Sequence, residues 1–438
     1  MLRKAKEYIV TRPGSGRAVL WSIVAVLTIV AVWSIVRRYG NTYTSWTGAD
    51  TSTYIGAWHN ICEHGIDVFR TPVYPLLIGG AEALTGAFYG SAVAIIESLQ
   101  WLIFILSVFS FYGIARRLIC GSVESLAATA MYAFSPFALY YNNYIMTESL
   151  AASWLVMLTH LLLLYYERPS LKCISGITLL TLLMVFLRPS LIFLLPLVAV
   201  YAIVVMVIKR DRWRRYVALL PGIAAVGIAA AGYIGAMDRQ FGVPAMSSVL
   251  MLNDLEEFCL HNTVSDADLE HYPVIKRSKT YCSPTGDSYY FSDYELNKQM
   301  REAYIEYRRL MAVYADEMRA YRLEHAERFM TFANEVSMNT ESKLSRTMLK
   351  LPGCGAWVAL WAVFCLVVLL PSLLRRRFDG AAWLVASIFC STVIVVIYGA
   401  YGDYFRLMYP VSWIVWLMFV AVVVKAVEWL RPYFPAQR

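Results

Sequence analysis

Residues Val19 to Val36 read VLWSIVAVLTIVAVWSIV, eighteen positions without a charge. A helix needs about 20 predominantly apolar residues to cross the hydrocarbon core of a bilayer, so this run predicts a membrane span. Arg3, Lys4, Lys6, Arg12 and Arg17 precede it, as in a signal peptide, but Arg37-Arg38-Tyr39 follows where a small-x-small cleavage pattern would be needed. The reading is an uncleaved first helix with its N-terminus on the cytoplasmic side.

Working outward, nine further runs repeat the pattern: Ser91 to Ala115, Val123 to Tyr140, Leu150 to Tyr166, Gly176 to Leu187, Leu191 to Ile208, Tyr216 to Met237, Ala356 to Leu374, Ala381 to Tyr401 and Pro410 to Leu430. The fold class expected is therefore an all-α polytopic membrane protein with about ten transmembrane helices. Composition agrees, because the 438 residues are 59% hydrophobic and only 16% charged, against roughly 25% charge in an ordinary soluble domain. The net charge of +8 is accounted for by loops that set orientation, and it supplies no argument for nucleic acid as a partner.

Orientation follows from where those basic residues fall. Alternating from an inside N-terminus, the inner connections hold Arg116-Arg117, Arg168 with Lys172, the run Lys209 to Arg215, and Arg375-Arg376-Arg377, while Arg431 and Arg438 place the C-terminus inside as well. Cytoplasmic loops collect Lys and Arg, so both termini are expected inside. Two long segments then lie outside, a first loop of about 39–90 and a domain of about 238–353. The expected organisation is an N-terminal transmembrane module over 1–237, an extracytoplasmic domain over 238–353 and C-terminal helices over 354–438. The outer domain passes a Pro284-Thr285-Gly286 turn and reads as helix from about Tyr294, with Tyr304, Tyr307, Met311 and Tyr314 at helical spacing and neither Gly nor Pro up to Leu351. Of the 8 cysteines, Cys259 and Cys282 alone look like a pair. A bridge between them would close a loop worth about 3 kcal/mol, and two free thiols are the alternative.

The candidate chemistry sits on the outer side. Asp50 follows Gly48-Ala49 and precedes Thr51-Ser52-Thr53-Tyr54. About twenty residues on, Arg70-Thr71-Pro72-Val73-Tyr74-Pro75 places a guanidinium before two prolines, which fix the local backbone direction. Thr147-Glu148-Ser149-Leu150, Leu187-Arg188-Pro189 and Asp403-Tyr404-Phe405-Arg406 fall at outer ends of later spans. A loop Asp is also a common cap or turn residue, and each arginine taken singly also fits snorkelling from a span end. Their common placement is informative, since charges at the bilayer centre cost about 2.5 to 3.5 kcal/mol on insertion scales.

In order and context these motifs resemble the GT-C glycosyltransferases, the class of protein O-mannosyltransferases and lipid A aminoarabinose transferases. The resemblance covers most of the chain, is strongest before Pro189 and weakest between Asp238 and Tyr321, and includes the amphipathic stretch around His325-Ala326-Glu327-Arg328-Phe329. It implies a first outer loop of juxtamembrane helices and transfer of a sugar from a polyprenyl-phosphate donor to a lipid, glycan or protein acceptor, with inversion. Asp50 would be the catalytic base, and Tyr54, Arg70, Tyr74, Glu148, Arg188 and Arg406 would bind substrate. The localisation it implies is the plasma (inner) membrane of a cell envelope, with the site extracytoplasmic.

The family includes metal-dependent and metal-free members. Local donors for a divalent cation are His59, Glu63, His64 and Asp67, whose spacing matches no metal motif and equally fits a solvated helix turn. His160, inside a span, reads as an interhelical hydrogen-bonding residue. Trp46, Trp58, Tyr281, Tyr289 and Tyr290 suit sugar stacking and a membrane interface alike. Phosphate-loop, Cys-x-x-Cys, His-Glu-x-x-His and Gly-x-Ser-x-Gly patterns are absent from the sequence, which disfavours nucleotide-driven pumps and membrane metalloproteases. An envelope polysaccharide polymerase or ligase is the main alternative. A lipid or sugar transporter is a lesser one, for want of two similar halves.

Overall fold

The computed structural model describes residues 15–39, 50–86, 91–119, 121–260, 264–265, 267–281, 289–291, 293–331, 354–375, 378–399 and 404–430. Helices are numbered α1 to α21 in chain order. The membrane part begins with α1 (Ser15–Tyr39), followed in the first loop by α2 (Thr51–His64) and α3 (Val73–Thr85). Next come α4 (Val93–Leu118), α5 (Ser122–Ala133), α6 (Pro136–Tyr141), α7 (Glu148–Glu167), α8 (Leu171–Leu187), α9 (Leu194–Ile208), the short α10 (Trp213–Tyr216) and α11 (Leu219–Phe241). The outer part holds α12 (Val249–Leu260), α13 (Pro273–Ser278), α14 (Asp293–Lys298), α15 (Met300–Val313) and α16 (Ala315–Thr331). The chain returns through α17 (Cys354–Phe364), α18 (Leu370–Leu374), α19 (Gly380–Gly399), α20 (Tyr404–Met408) and α21 (Ser412–Leu430). The strands among the described residues form one antiparallel hairpin, β1 (Lys279–Tyr281) with β2 (Tyr289–Phe291).

Eight helices among the described residues are long and apolar enough to cross a membrane. Two of the ten expected runs fall short of that length. Val123 to Tyr140 divides into α5 and α6, because Ser135 takes an extended conformation and Pro136 opens the next helix. Gly176 to Leu187 belongs to α8, which extends back to Leu171 under a Ser170 cap yet reaches only 17 residues. Lipid solvation accounts for the surface: Trp21, Ile29, Trp33 and Val36 on α1 and Leu366, Leu373 and Leu374 after α17 are exposed apolar side chains.

Inside, α4 and α7 form the central pair, with α8 and α5 packed on them and α11 behind α8. Phe104, Phe111, Tyr132 and Trp413 interlock in this core at ring separations of 4.6 to 6.2 Å. Where α4 and α7 cross, Gly113 admits the His160 ring, which an added Cβ would meet at 2.6 Å. His160 also lies 3.4 Å from Arg117, an interhelical contact of the kind read from the sequence.

A second core lies in the outer part. Met251, Leu255, Val264, Leu269, Val274, Ile275, Leu296, Met300, Ala303 and Leu310 bury one another there, joined by Val68 and Phe69 of the first loop. The helix expected from Tyr294 is interrupted: Gln299 and Tyr314 have non-helical backbone and divide it into α14, α15 and α16. Tyr304, Tyr307, Met311 and Tyr314 nevertheless pack as one partly buried face on this core. The expected helix beyond Thr331, the Cys259 and Cys282 side chains, Asp403 and Trp46 lie outside the described residues.

Candidate active site

The first loop is held by local chemistry before any long-range contact. Gly65 closes α2 in the left-handed region at φ 83, with its N–H donating to Ile61. Asp67, 3% exposed, then accepts from the backbone N–H groups of Phe69 (2.9 Å) and Arg70 (2.6 Å) and from Asn60 Nδ2 (2.7 Å). This is an Asp turn that presents Arg70 in one direction just before Pro72 caps α3. Asp67 was a possible cation ligand on sequence grounds; its carboxylate is occupied by the turn. Of the other donors, His59 lies 3.8 Å from Glu82 and His64 lies 3.6 Å from Glu63, on exposed positions that do not converge. No group of three or more His, Cys, Asp or Glu side chains gathers to hold a metal among the described residues.

Asp50 stands at the N-terminus of α2 without capping it through its side chain. Its Oδ1 accepts from Arg70 Nη2 at 2.9 Å, and its Oδ2 accepts from Arg406 Nη2 of α20. Arg406 also donates from Nε to Glu148 Oε1 at 2.7 Å, and the same Glu148 oxygen accepts from Arg188 Nη1 at 3.2 Å. Five charges from five separate stretches thus alternate in one line: Arg70, Asp50, Arg406, Glu148, Arg188. Three guanidiniums meet two carboxylates, leaving one excess positive charge. Burial pushes the Asp50 carboxyl up, but the Arg70 and Arg406 guanidiniums more than offset this and hold it below the usual aspartate range.

Around the line, Arg70 donates from Nε to Thr53 (2.9 Å) and lies 4.5 Å over the Tyr54 ring. Tyr54 packs edge-on against Tyr74 at 5.0 Å, and its hydroxyl lies 3.4 Å from that of Thr147. Asp50, Tyr54, Arg70, Arg188 and Arg406 all line a cavity of about 730 Å³, whose other walls come from residues 189–193, 247–256 and 392–399 and include Leu191, Phe193, Leu250 and Val396. Thr392, Ile394 and Tyr398 place α19 along one side, and Ile394 and Tyr398 are themselves strongly exposed. The cavity is charged at one end and largely apolar along its walls, a form suited to a ligand with an ionic head and an apolar chain.

Two residues expected to touch substrate stand behind the cavity instead. Glu148 is fully buried and serves as the common acceptor for Arg406 and Arg188. Tyr74 is fully buried and donates to Gln100 Oε1 at 2.8 Å, while Gln100 Nε2 donates to the Asn142 and Tyr144 carbonyls at 3.1 and 2.9 Å. Gln100 was not singled out from the sequence; a lone amide in the apolar run Val93–Leu118 was the available signal. Asp254 and Arg322 were missed as a pair. They meet at 2.7 Å, with Tyr307 donating to Asp254 at 2.7 Å and Arg322 donating to the Tyr398 carbonyl on the cavity wall. Further along α16, His325 and Phe329 are buried beside Tyr404, which precedes Arg406 by two residues. Trp58 packs against Gly79, where an added Cβ would enter its ring.

No protein-family model matches the chain, and no curated protein matches it. Solved structures do. The archaeal oligosaccharyltransferase AglB from Archaeoglobus fulgidus, in complex with an inhibitory peptide and a dolichol-phosphate, aligns with 94% of this chain and 51% of its own at 13% identity and a TM-score of 0.52. The Archaeoglobus fulgidus oligosaccharyltransferase tethered to an acceptor peptide containing the NVT sequon gives 13% identity and TM-score 0.46, covering 94% of this chain and 50% of that one. The same enzyme in complex with Zn and sulfate gives 14% and 0.42, with 93% and 51% covered. The chain therefore spans about half the length of the solved structures it matches. At this identity the likeness to AglB is one of fold, and the all-α polytopic membrane fold expected from the sequence is the fold observed.

Proposed function

We propose that this chain is a GT-C-type glycosyltransferase that moves a sugar from a polyprenyl-phosphate donor to a hydroxyl acceptor at the extracytoplasmic face of the membrane, inverting C1. The observation that carries this reading is the line of Arg70, Asp50, Arg406, Glu148 and Arg188 at the charged end of a cavity with apolar walls. The dolichol-phosphate named in the AglB complex supports a lipid-borne phosphate as ligand for such a fold.

The groups divide the work by charge. Attack requires the acceptor oxygen to lose its proton while forming the bond to C1, and Asp50 is the carboxylate placed to receive it. The C1–O bond to phosphate breaks, its electron pair stays on the phosphate oxygen, and the leaving polyprenyl phosphate gains one negative charge. Arg70 and Arg406 front the cavity and stabilise that charge through charge-assisted hydrogen bonds. Arg188 completes the positive end. Glu148, Tyr74 and Gln100 act by positioning: Glu148 orients two guanidiniums, and the Tyr74–Gln100 link fixes the first loop against the Asn142 turn. One displacement across the cavity inverts the anomeric centre.

The rest of the reading keeps the organisation drawn from the charge pattern: a module over 1–237 carrying the site, an extracytoplasmic domain over 238–353, C-terminal helices over 354–438, and both termini facing the cytoplasm of a cell whose plasma membrane holds the protein. Lipid extraction from cells lacking the protein tests the function. The expected result is accumulation of one polyprenyl-phosphate sugar, with loss of that sugar from one envelope polymer, lipid or protein; an unchanged lipid profile overturns the proposal.

A further inference from the structure

The resting position of Asp50 does not suit a general base. Both of its oxygens are taken, Oδ1 by Arg70 and Oδ2 by Arg406, and a carboxylate held by two guanidiniums has little tendency to accept a proton. The Nε atoms of the two guanidiniums are committed elsewhere, Arg70 to Thr53 and Arg406 to Glu148. Their Nη2 atoms reach the Asp50 oxygens beside the cavity. Phosphate matches what they hold, since two of its oxygens are spaced nearly as those of a carboxylate and guanidinium pairs with either in the same forked way.

We propose that the Arg70–Arg406 pair is the anion subsite for the phosphate of the lipid donor, that Asp50 fills this subsite in the resting protein, and that phosphate binding displaces Asp50 and thereby makes it available as the base. This rests on the glycosyltransferase reading and goes beyond it by assigning the order of events. Donor binds first, and Asp50 is not competent as a base until it does. Charge supports the exchange. The resting line has three guanidiniums and two carboxylates; a phosphodiester donor adds one negative charge and neutralises it. After transfer the leaving phosphate carries a second negative charge, and Asp50 has become neutral by taking the acceptor proton, so the balance is kept. Arg188 stays in place throughout, because its partner Glu148 is fully buried and shared with Arg406. The low basicity of Asp50 at rest, caused by Arg70 and Arg406 against the opposing effect of burial, agrees with its masking.

The test uses the full chain in detergent with farnesyl phosphate as probe. If Asp50 competes for the subsite, Asp50→Asn binds farnesyl phosphate about tenfold tighter than the parent, as expected when no charge-assisted pair has to be displaced, and Arg406→Ala binds it more weakly. A structure of the parent protein with farnesyl phosphate supplies a readout that needs no variant to fold: phosphate oxygens should lie within hydrogen-bond distance of both Arg70 and Arg406, with the Asp50 carboxylate released from both. Equal or weaker binding by folded Asp50→Asn, or a complex in which Asp50 keeps both arginines, overturns the exchange. Lipid extraction reads the parent proposal separately, so failure of the exchange with a polyprenyl-phosphate sugar still accumulating removes this inference alone. Failure to bind farnesyl phosphate at all, together with an unchanged lipid profile, removes both.

Discussion

The two ends of the α4–α7 helix pair carry two kinds of ionic contact. At the end away from the cavity, Arg117 meets Glu167 through two parallel bonds of 2.6 and 2.9 Å, one guanidinium to one carboxylate. At the other end Glu148, the first residue of α7, is shared by Arg406 and Arg188, and Asp50 by Arg406 and Arg70. The first contact is a neutral, half-exposed pair whose demand for a partner is satisfied, and such pairs contribute little to stability. The second is shared, opens on the cavity that Glu256 also lines, and holds one guanidinium more than its carboxylates within the line. The lesson is that the count of charges around a shared centre, more than the presence of salt bridges, separates a structural pair from a ligand site.

The comparison breaks most sharply at Asp50. Asp50→Asn should lower transfer by about 10² to 10⁴, the usual cost of losing a general base, whereas Glu167→Gln should leave transfer near the parental rate. A purified Asp50→Asn protein that transfers sugar as fast as the parent would make Asp50 structural. Next in size is Glu148→Gln, which leaves Arg188 and Arg406 without their buried counter-charge. Breaking one partner of a buried pair costs about 3 to 5 kcal/mol, so its thermal unfolding in detergent should shift further than that of any other single variant named here. A melting curve matching the parent's would mean that the arginines find other partners.

Arg70→Ala is expected to cost about 1.5 to 3 kcal/mol, the range for a hydrogen bond to a charged group. The loss should show both as a higher donor KM and as a lower kcat, because the phosphate is held before and during transfer. Arg70→Lys should recover only part, since an ammonium cannot hold Thr53 and an anion in the forked geometry. A loss confined to kcat would move Arg70 from phosphate binding to another role. The smallest effect belongs to Arg117→Ala, about 0.5 kcal/mol of stability with transfer unchanged, measured by the same unfolding and transfer assays. A large loss of activity there would erase the contrast between the two ends.

Legibility in the sequence followed the range of the interactions involved. The spans were readable because solvation by lipid is imposed residue by residue, and a run such as Val19 to Val36 needs no partner to declare itself. Asp50, Arg70, Glu148, Arg188 and Arg406 were readable as candidates because all five fall at one set of span ends or beside prolines there, a common placement that capping or snorkelling of single residues does not require. The break between α5 and α6 was readable in principle at Ser135-Pro136, but hydropathy averages across it. The sequence left Asp67 open between a cation donor and a turn residue, because a turn-forming carboxylate and a metal-binding one look alike until their hydrogen-bond donors are known. The interruption of the outer helix at Gln299 and Tyr314 carried no Gly or Pro signal, and packing onto the second core decided it.

By itself the sequence determined that this is an all-α membrane protein with basic connections at alternate span ends and a set of carboxylates and guanidiniums at the others, because transfer of side chains into lipid and the local backbone limits of proline act within a few residues. Only the tertiary structure decided which of those charges meet. Asp50 and Arg406 are 356 positions apart, and Glu148 and Arg406 are 258 apart. Their pairing, the retreat of Glu148 and Tyr74 behind the cavity, and the masking of Asp50 arise from helices brought together by packing, and an ionic contact of a few ångströms leaves no trace in the order of residues that make it.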